Sequence, residues 1–115
     1  FEVRDGYEAF MKLYNTNQLP EIIFAVNDRT ALGVYQAAKK VGVRIPEDIG
    51  IAAFGFNEIA QTFTPSLSII NQNPRKIGLT ATKMLIETIE SKNSGLPMQV
   101  KIKEDFQWYD SILKK

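Results

Sequence analysis

Two runs of consecutive apolar residues constrain this chain more than any other feature of its sequence. The segments 22–26 and 49–54 contain no charged or strongly polar side chain. Continuous apolar runs of this length are typical of strands that helices cover on both faces, whereas half-exposed antiparallel strands alternate. The stretch between them, 29–41, has helical spacing. The order strand, helix, strand predicts an α/β fold with a parallel sheet.

One helix is predicted before the first apolar run in the sequence and another after it. A helix over 3–14 places four large side chains on one face, at spacings of three and four residues: Tyr7, Phe10, Met11 and Tyr14. The second helix, 29–41, has Asp28 as its expected N-cap and Gly42 where a left-handed C-cap is expected.

The second half of the chain is less regular. We predict a short connecting strand over 67–70 and a longer helix over 75–91 that has Pro74 at its first position, where proline is favoured. Asn93-Ser94-Gly95 is expected to close that helix, and a final extended stretch is expected to follow.

Composition removes several classes of function. The chain has no cysteine and no histidine, so thiolate or histidine zinc sites and Ser-His-Asp chemistry lack their residues. The net charge of +1 comes from interspersed charges, which argues against a basic nucleic-acid-binding face in this segment. No run approaches the roughly 20 apolar residues of a membrane span. Because the chain opens on Phe1, an upstream part is expected.

Polar residues follow both apolar runs, at 27–29 and 57–58. In open parallel sheets, ligands bind beyond the carboxyl ends of the strands, so these side chains are expected on one rim. Amides and carboxylates suit a polyhydroxylated ligand, and the ring of Phe56 can cover a sugar face. Alternatively, Asp28 is only a turn former or helix cap. A role of Asp28 and Glu58 as the acid and base of a glycosidase is disfavoured, so no catalytic residue is expected. No metal or cofactor is expected either.

Several motifs, taken in order, resemble the LacI/GalR repressor family over about residues 20 to 90. They are Pro20-Glu21-Ile22-Ile23-Phe24-Ala25-Val26-Asn27-Asp28, Ala31-Leu32-Gly33, Val41-Gly42-Val43-Arg44-Ile45-Pro46-Glu47-Asp48-Ile49, Gly55-Phe56-Asn57, and Thr64-Pro65-Ser66-Leu67-Ser68-Ile69-Ile70-Asn71-Gln72. Each motif is modest by itself, and their order and spacing make the set specific.

The resemblance implies part of a periplasmic-binding-protein-like type I effector domain, a three-layer αβα fold with a parallel sheet. Residues 1–66 would form the C-terminal lobe, 67–95 the crossover and a helix of the N-terminal lobe, and 96–115 the terminal strand and tail. It further implies a cytoplasmic, homodimeric repressor that binds a sugar-like effector, and operator DNA through a headpiece absent from this sequence. A solute-binding protein of a sugar transporter is the alternative.

Residue roles carried over from the family complete the expectations. Asn27, Asn57 and Gln72, with Phe56, would contact the effector, while Asp28 would cap the second helix. The resemblance also assigns four residues of that helix to the homodimer interface: Ala31, Val34, Tyr35 and Ala38. Two positions depart from the family pattern: Asn57 replaces a usual aspartate, and Tyr109 replaces a usual arginine.

Overall fold

The structure is a computed structural model that describes residues 1–91 and 99–113. Four helices and four strands follow one another in these residues. They are α1 (Val3–Asn15), β1 (Ile22–Ala25), α2 (Asp28–Val41), β2 (Gly50–Gly55), α3 (Asn57–Ala60), β3 (Ser68–Asn71), α4 (Pro74–Ser91) and β4 (Asp105–Gln107). Helices α1, α2 and α4 and the first three strands lie within about two residues of their predicted positions, whereas the short helix α3 falls in a stretch for which no element is predicted.

One four-stranded sheet has the order β1-β2-β3-β4. The pairs β1–β2 and β2–β3 are parallel, as predicted, but β4 runs antiparallel to β3, with Ile70 opposite Phe106. The sheet is therefore mixed and not wholly parallel. A three-residue edge strand shows the same apolar pattern in either direction, so its sequence carries no signal for the direction of pairing.

The core lies between the sheet and α2, which packs on β1 and β2. Ile51, Ala53 and Ile69 of the sheet are fully buried there. The predicted inner face of α1 is largely confirmed: Phe10 is fully buried and Tyr7 and Met11 pack against the core, but Tyr14 is 39% exposed.

Helix α1 packs on α2 at very short range. A Cβ atom placed on Gly6 would lie 2.0 Å from the carbonyl oxygen of Thr30, and one on Gly33 would lie 1.8 Å from that of Val3. Any side chain at either glycine would therefore collide with backbone. These two glycines allow the helix backbones to touch, which the sequence analysis did not foresee.

The prediction that β1 is buried on both faces is wrong for the described residues. Ile22 and Phe24 are 53% and 50% exposed, while Ala25 is buried against α2's side of the sheet. Strand β1 is an edge strand, and the ring of Phe24 packs edge-on against that of Phe54, with 5.4 Å between the ring centroids. An apolar run identifies a strand but does not show which of its faces is covered.

The chain divides into two compact units, Phe1–Gln72 with Asp105–Lys115, and Asn73–Glu104. Strand β3 and the terminal segment thus belong to the same unit as β1 and β2. The second unit contains α4, which begins at Pro74 as predicted and buries none of its residues. The predicted helix end at Asn93-Ser94-Gly95 lies outside the described residues.

Candidate functional site

The candidate site is the edge of the sheet at which the three parallel strands end. Asn27 follows β1, Phe56 and Asn57 follow β2, and Gln72 follows β3. Because the strands are parallel neighbours in register, their carboxyl ends meet at one edge. The backbone N–H of Gln72 donates to the carbonyl oxygen of Gly55 at 3.2 Å, which ties the ends of β2 and β3 together.

Asn27 is the N-cap of α2, so the expectation that Asp28 caps this helix is wrong. Asn27 has an extended backbone, and its Oδ1 accepts hydrogen bonds from the Thr30 backbone N–H and hydroxyl, both at 2.8 Å. Its Nδ2 donates to the carbonyl oxygen of Phe1 at 3.4 Å. An extended residue whose side-chain oxygen receives the N–H three residues on is the defining geometry of a cap.

Asp28 is instead the first residue of α2 and lies beside the end of β2. A Cβ placed on Gly55 would be 3.7 Å from the Asp28 carboxylate oxygen Oδ2. Within residues 1–91 and 99–113, Oδ2 is buried and has no hydrogen-bond partner. A negative charge in the first turn of a helix is favourable, because the exposed N–H groups there carry partial positive charge.

Asn57 begins the short helix α3 and is half-buried. The hydroxyl of Tyr109 donates a hydrogen bond to Asn57 Oδ1. This contact joins the two positions that depart from the family pattern. The neighbouring Glu58 is exposed, so its carboxylate does not share the half-buried environment of the amide.

Phe56 and Gln72 lie on the accessible side of this edge. Phe56 is 36% exposed and Gln72 is also exposed. Carboxamides can both donate and accept hydrogen bonds, and an aromatic ring offers an apolar face, so the edge can hold a small polar molecule with a mixed surface.

Three of the four residues predicted to form a dimer interface do not lie on the surface, whereas the fourth, Tyr35, is half-buried. Ala31 is fully buried and Val34 and Ala38 are 3% and 1% exposed, since this face of α2 packs inside the lobe. The hydroxyl of Tyr35 donates to the carbonyl oxygen of Pro65 at 2.9 Å. The helical spacing marks the inner face of α2, so the prediction is wrong for Ala31, Val34 and Ala38, and for the half-buried Tyr35 it stays a prediction.

Sequence reasoning missed a pair of buried serines that hold the terminal segment on the sheet. Ser68 N–H donates to Ser111 Oγ at 2.7 Å, and Ser111 Oγ donates to the carbonyl oxygen of Ile51 at 2.6 Å. Both serines are fully buried. In the sequence, such a serine is marked only by its position next to an apolar run. Many serines that form turns have the same position, so the pattern does not identify the buried pair.

No helix in the described ranges is both long and apolar enough to cross a membrane.

Comparison with known proteins identifies the kind of domain. Residues 2–105 match a family described as a periplasmic binding protein-like domain. The chain is 33% identical over 102 residues to the HTH-type transcriptional repressor PurR of Haemophilus influenzae, and 36% identical over 93 residues to PurR of Pasteurella multocida. The matches cover 89% and 81% of this chain but only 30% and 28% of those repressors. The chain thus spans about a third of the length of these relatives.

Solved structures of transcriptional regulators are similar to this chain as well. A LacI family transcriptional regulator from Enterococcus faecium with bound ribose aligns with a TM-score of 0.88 at 26% identity, over 99% of this chain and 42% of that one. A LacI-type regulator from Bacillus cereus subsp. cytotoxis aligns with a TM-score of 0.90 at 26% identity, over 98% and 40%. The lac repressor dimer bound to operator shares the fold, with a TM-score of 0.87 at 22% identity over 98% and 39%.

Proposed function

Because the chain belongs to the periplasmic binding protein-like domain family, we propose that it is the effector-sensing part of a LacI-type transcriptional regulator. The observation that carries the proposal is the meeting of Asn27, Asn57 and Gln72 at the ends of three neighbouring parallel strands. The curated relatives are transcriptional repressors, which favours regulation over the alternative of a transport protein.

The proposed mechanism is a shift in population and not a chemical reaction. A ligand that binds one arrangement of the regulator more tightly than another shifts the equilibrium toward it, by at most the difference in binding free energy. In a dimer, that shift changes how well two headpieces outside this chain fit operator DNA. Such a regulator works in the cytoplasm, where it meets DNA.

The proposed ligand is a sugar or a sugar derivative. The regulator from Enterococcus faecium was solved with ribose, and the site here offers what a sugar requires, with carboxamides for its oxygens and the ring of Phe56 for its apolar face. Asn27 Oδ1 already accepts two hydrogen bonds from Thr30, so we propose that Asn27 addresses the ligand mainly through Nδ2.

The test is calorimetric titration of the full-length protein with D-ribose. Gln72→Ala and Asn27→Ser are each expected to weaken binding by about 1 to 3 kcal/mol, the cost of leaving a buried ligand group unpaired. Serine is chosen at position 27 because its hydroxyl still caps α2, whereas Asn27→Ala would also cost about 0.5 to 2 kcal/mol of stability.

Gln18→Ala is the matched control, since Gln18 is exposed and precedes β1, so it lies toward the amino ends of the strands and away from the edge where the strands end. Unchanged ribose affinity in both site variants, or an equal loss in the control, would contradict the proposed site. Recovery of chemically unaltered ribose after incubation checks that the protein binds without turnover.

We also propose that the regulator is a homodimer and that the outer face of α2 contributes to the contact. A cleft of about 380 Å³ lies beside this face, bordered by Leu32, Gln36, Lys39 and Phe63. Leu32 lies on the outer face of α2 and is 40% exposed, whereas the inner face of this helix is buried. A large apolar side chain beside an open cleft suits a second copy of the same surface.

Sedimentation velocity on the full-length protein tests the dimer. Leu32→Asp places a charge in the proposed contact and is expected to shift the protein from dimer to monomer at micromolar concentration. Lys12→Asp, at an exposed position of α1, is expected to leave the dimer intact. A dimer that persists in Leu32→Asp would place the interface elsewhere.

A further inference from the structure

Tyr109 makes a contact that none of the roles described above uses. Its hydroxyl donates to Oδ1 of Asn57, one of the residues proposed to address the ligand. Both side chains are half-buried, and Tyr109 packs against the core of the lobe. The contact spans 52 residues of sequence, so it depends on the fold and not on local chain geometry.

The backbone of Tyr109 is held in place by the buried serines. Ser68 Oγ accepts from the Tyr109 N–H at 2.9 Å and donates to the Tyr109 carbonyl oxygen at 3.1 Å. Ser111, two residues on, is tied to β2 at Ile51 by its hydroxyl and by its carbonyl oxygen, which accepts from the Ile51 N–H at 3.0 Å. These hydrogen bonds fix the backbone that bears the Tyr109 phenol, so the phenol approaches Asn57 in a single orientation.

The donor and acceptor inventory of a carboxamide gives this contact a consequence. Asn57 has one carbonyl oxygen and one NH2 group, which both lie in the amide plane, on opposite sides of the Cβ–Cγ bond axis. When Tyr109 donates to Oδ1, it occupies one lone pair and fixes the rotation of the amide. The group that faces away from Tyr109 is then Nδ2, which only donates. A free carboxamide would rotate to suit either kind of partner.

We propose that Tyr109 is a positioning residue that orients Asn57 so that its amide nitrogen faces the ligand. The ligand therefore presents a hydrogen-bond acceptor to Asn57, such as a carbonyl or carboxylate oxygen, in preference to a hydroxyl hydrogen. This inference rests on the proposed function, because it assumes that the ligand binds at the edge where β1, β2 and β3 end.

A matched pair of probes tests this preference on the full-length protein. D-ribono-1,4-lactone has a carbonyl at C1, where the furanose form of D-ribose, with the same five-membered ring, has a hydroxyl-bearing carbon. Calorimetry is expected to show tighter binding of the lactone to the unsubstituted protein. Tyr109→Phe removes only the hydroxyl, and we expect the ratio of lactone to ribose affinity to fall about three- to tenfold, the value of one hydrogen bond.

Tyr35→Phe is the matched control, because it also removes a half-buried phenol hydroxyl that donates to an acceptor within the lobe. It is expected to leave the affinity ratio unchanged. In an Asn57→Ala background, Tyr109→Phe is expected to have no further effect on the ratio, since the group it orients is missing.

The outcomes separate the inference from the function on which it rests. The positioning role would be overturned by an unchanged affinity ratio in Tyr109→Phe, or by the same change of the ratio in the Asn57→Ala background. In either case the proposed site would still stand if ribose binding depended on Gln72. If neither probe bound the unsubstituted protein, the sugar assignment would be wrong, and the inference would be wrong with it.

Discussion

At the scale of single residues, Tyr35 gives a dependence of stability on pH. Burial raises the pKa of the Tyr35 phenol well above its ordinary value, and a hydrogen bond with Ser111 opposes this in part. The ring also packs edge-on against Phe63, with centroids 4.9 Å apart. The phenol is thus held neutral in the folded lobe, where its hydroxyl donates to Pro65.

The sign of the effect follows from comparing the folded and unfolded chains. An unfolded tyrosine ionises near pH 10, and Tyr35 ionises at a higher pH when folded. The stability that depends on its neutral form is fully present below about pH 10 and is lost as the pH rises through the folded pKa. Urea unfolding from pH 8 to 11 should show this loss, and Tyr35→Phe should reduce it. Equal losses in both proteins would contradict the assignment.

The neighbouring pair Asn27 and Asp28 shows how far sequence reasoning reaches at this scale. Both residue types cap helices well, so the pattern places a cap at the start of α2 without showing which residue forms it. The backbone of Asn27 is extended and Asp28 is already helical, which decides the question. The same limit hid the contact between Tyr109 and Asn57, because partners 52 residues apart leave no local signal.

At the scale of elements, the close crossing of α1 and α2 yields the clearest stability prediction. Gly33→Ala would place a Cβ atom 1.8 Å from the carbonyl oxygen of Val3, so the helices must move apart. Overpacking of this kind costs about 1 to 3 kcal/mol, and the backbone atom involved cannot rotate away. Urea denaturation followed by circular dichroism should show a lower free energy of unfolding.

Gly78→Ala is the control for this change. Gly78 also lies within a helix, but among the described residues no atom beyond its chain neighbours and the adjacent backbone of its own helix lies within 4 Å of a Cβ placed there. The substitution is expected to leave stability unchanged or to raise it by about 0.5 to 1 kcal/mol, since alanine favours the helix. A Gly33→Ala protein as stable as the parent would show that the two helices separate at no cost.

Helices and strands could be predicted from the sequence where residues close together in the chain determine them. The spacing of Tyr7, Phe10 and Met11 gave α1, and Gly42 is confirmed as the left-handed C-cap of α2, with φ of 78°. The direction of β4 and the contact at Gly33 were not predictable, because both depend on which distant segment lies alongside. The inner face of α2 was found and then assigned to a dimer, since burial within one chain and burial between two chains leave the same apolar stripe.

At the scale of the whole molecule, the two units differ in what holds them together. The first contains the buried core, including Ile51, Ala53 and Ile69. The second contains α4, 18 residues long, in which no residue is buried and Leu79, Leu85 and Ile89 are each more than 60% exposed. Most of the stability of a helix in a protein comes from burial of an apolar face, so a helix in which no residue is buried gains little beyond its own hydrogen bonds.

Hydrogen exchange on the 115-residue chain should therefore separate the units. Amides in buried β2 are expected to exchange only by opening of the core, whereas amides of α4 exchange by fraying of a single helix. We expect β2 amides such as those of Ala52 and Ala53 to exchange at least about a hundredfold more slowly than those in the middle of α4, at one pH and after correction for intrinsic rates. NMR resolves the individual amides. Equal protection in α4 and β2 would mean that α4 is packed as firmly as the core, and the stability of this chain would then not reside in the first unit alone.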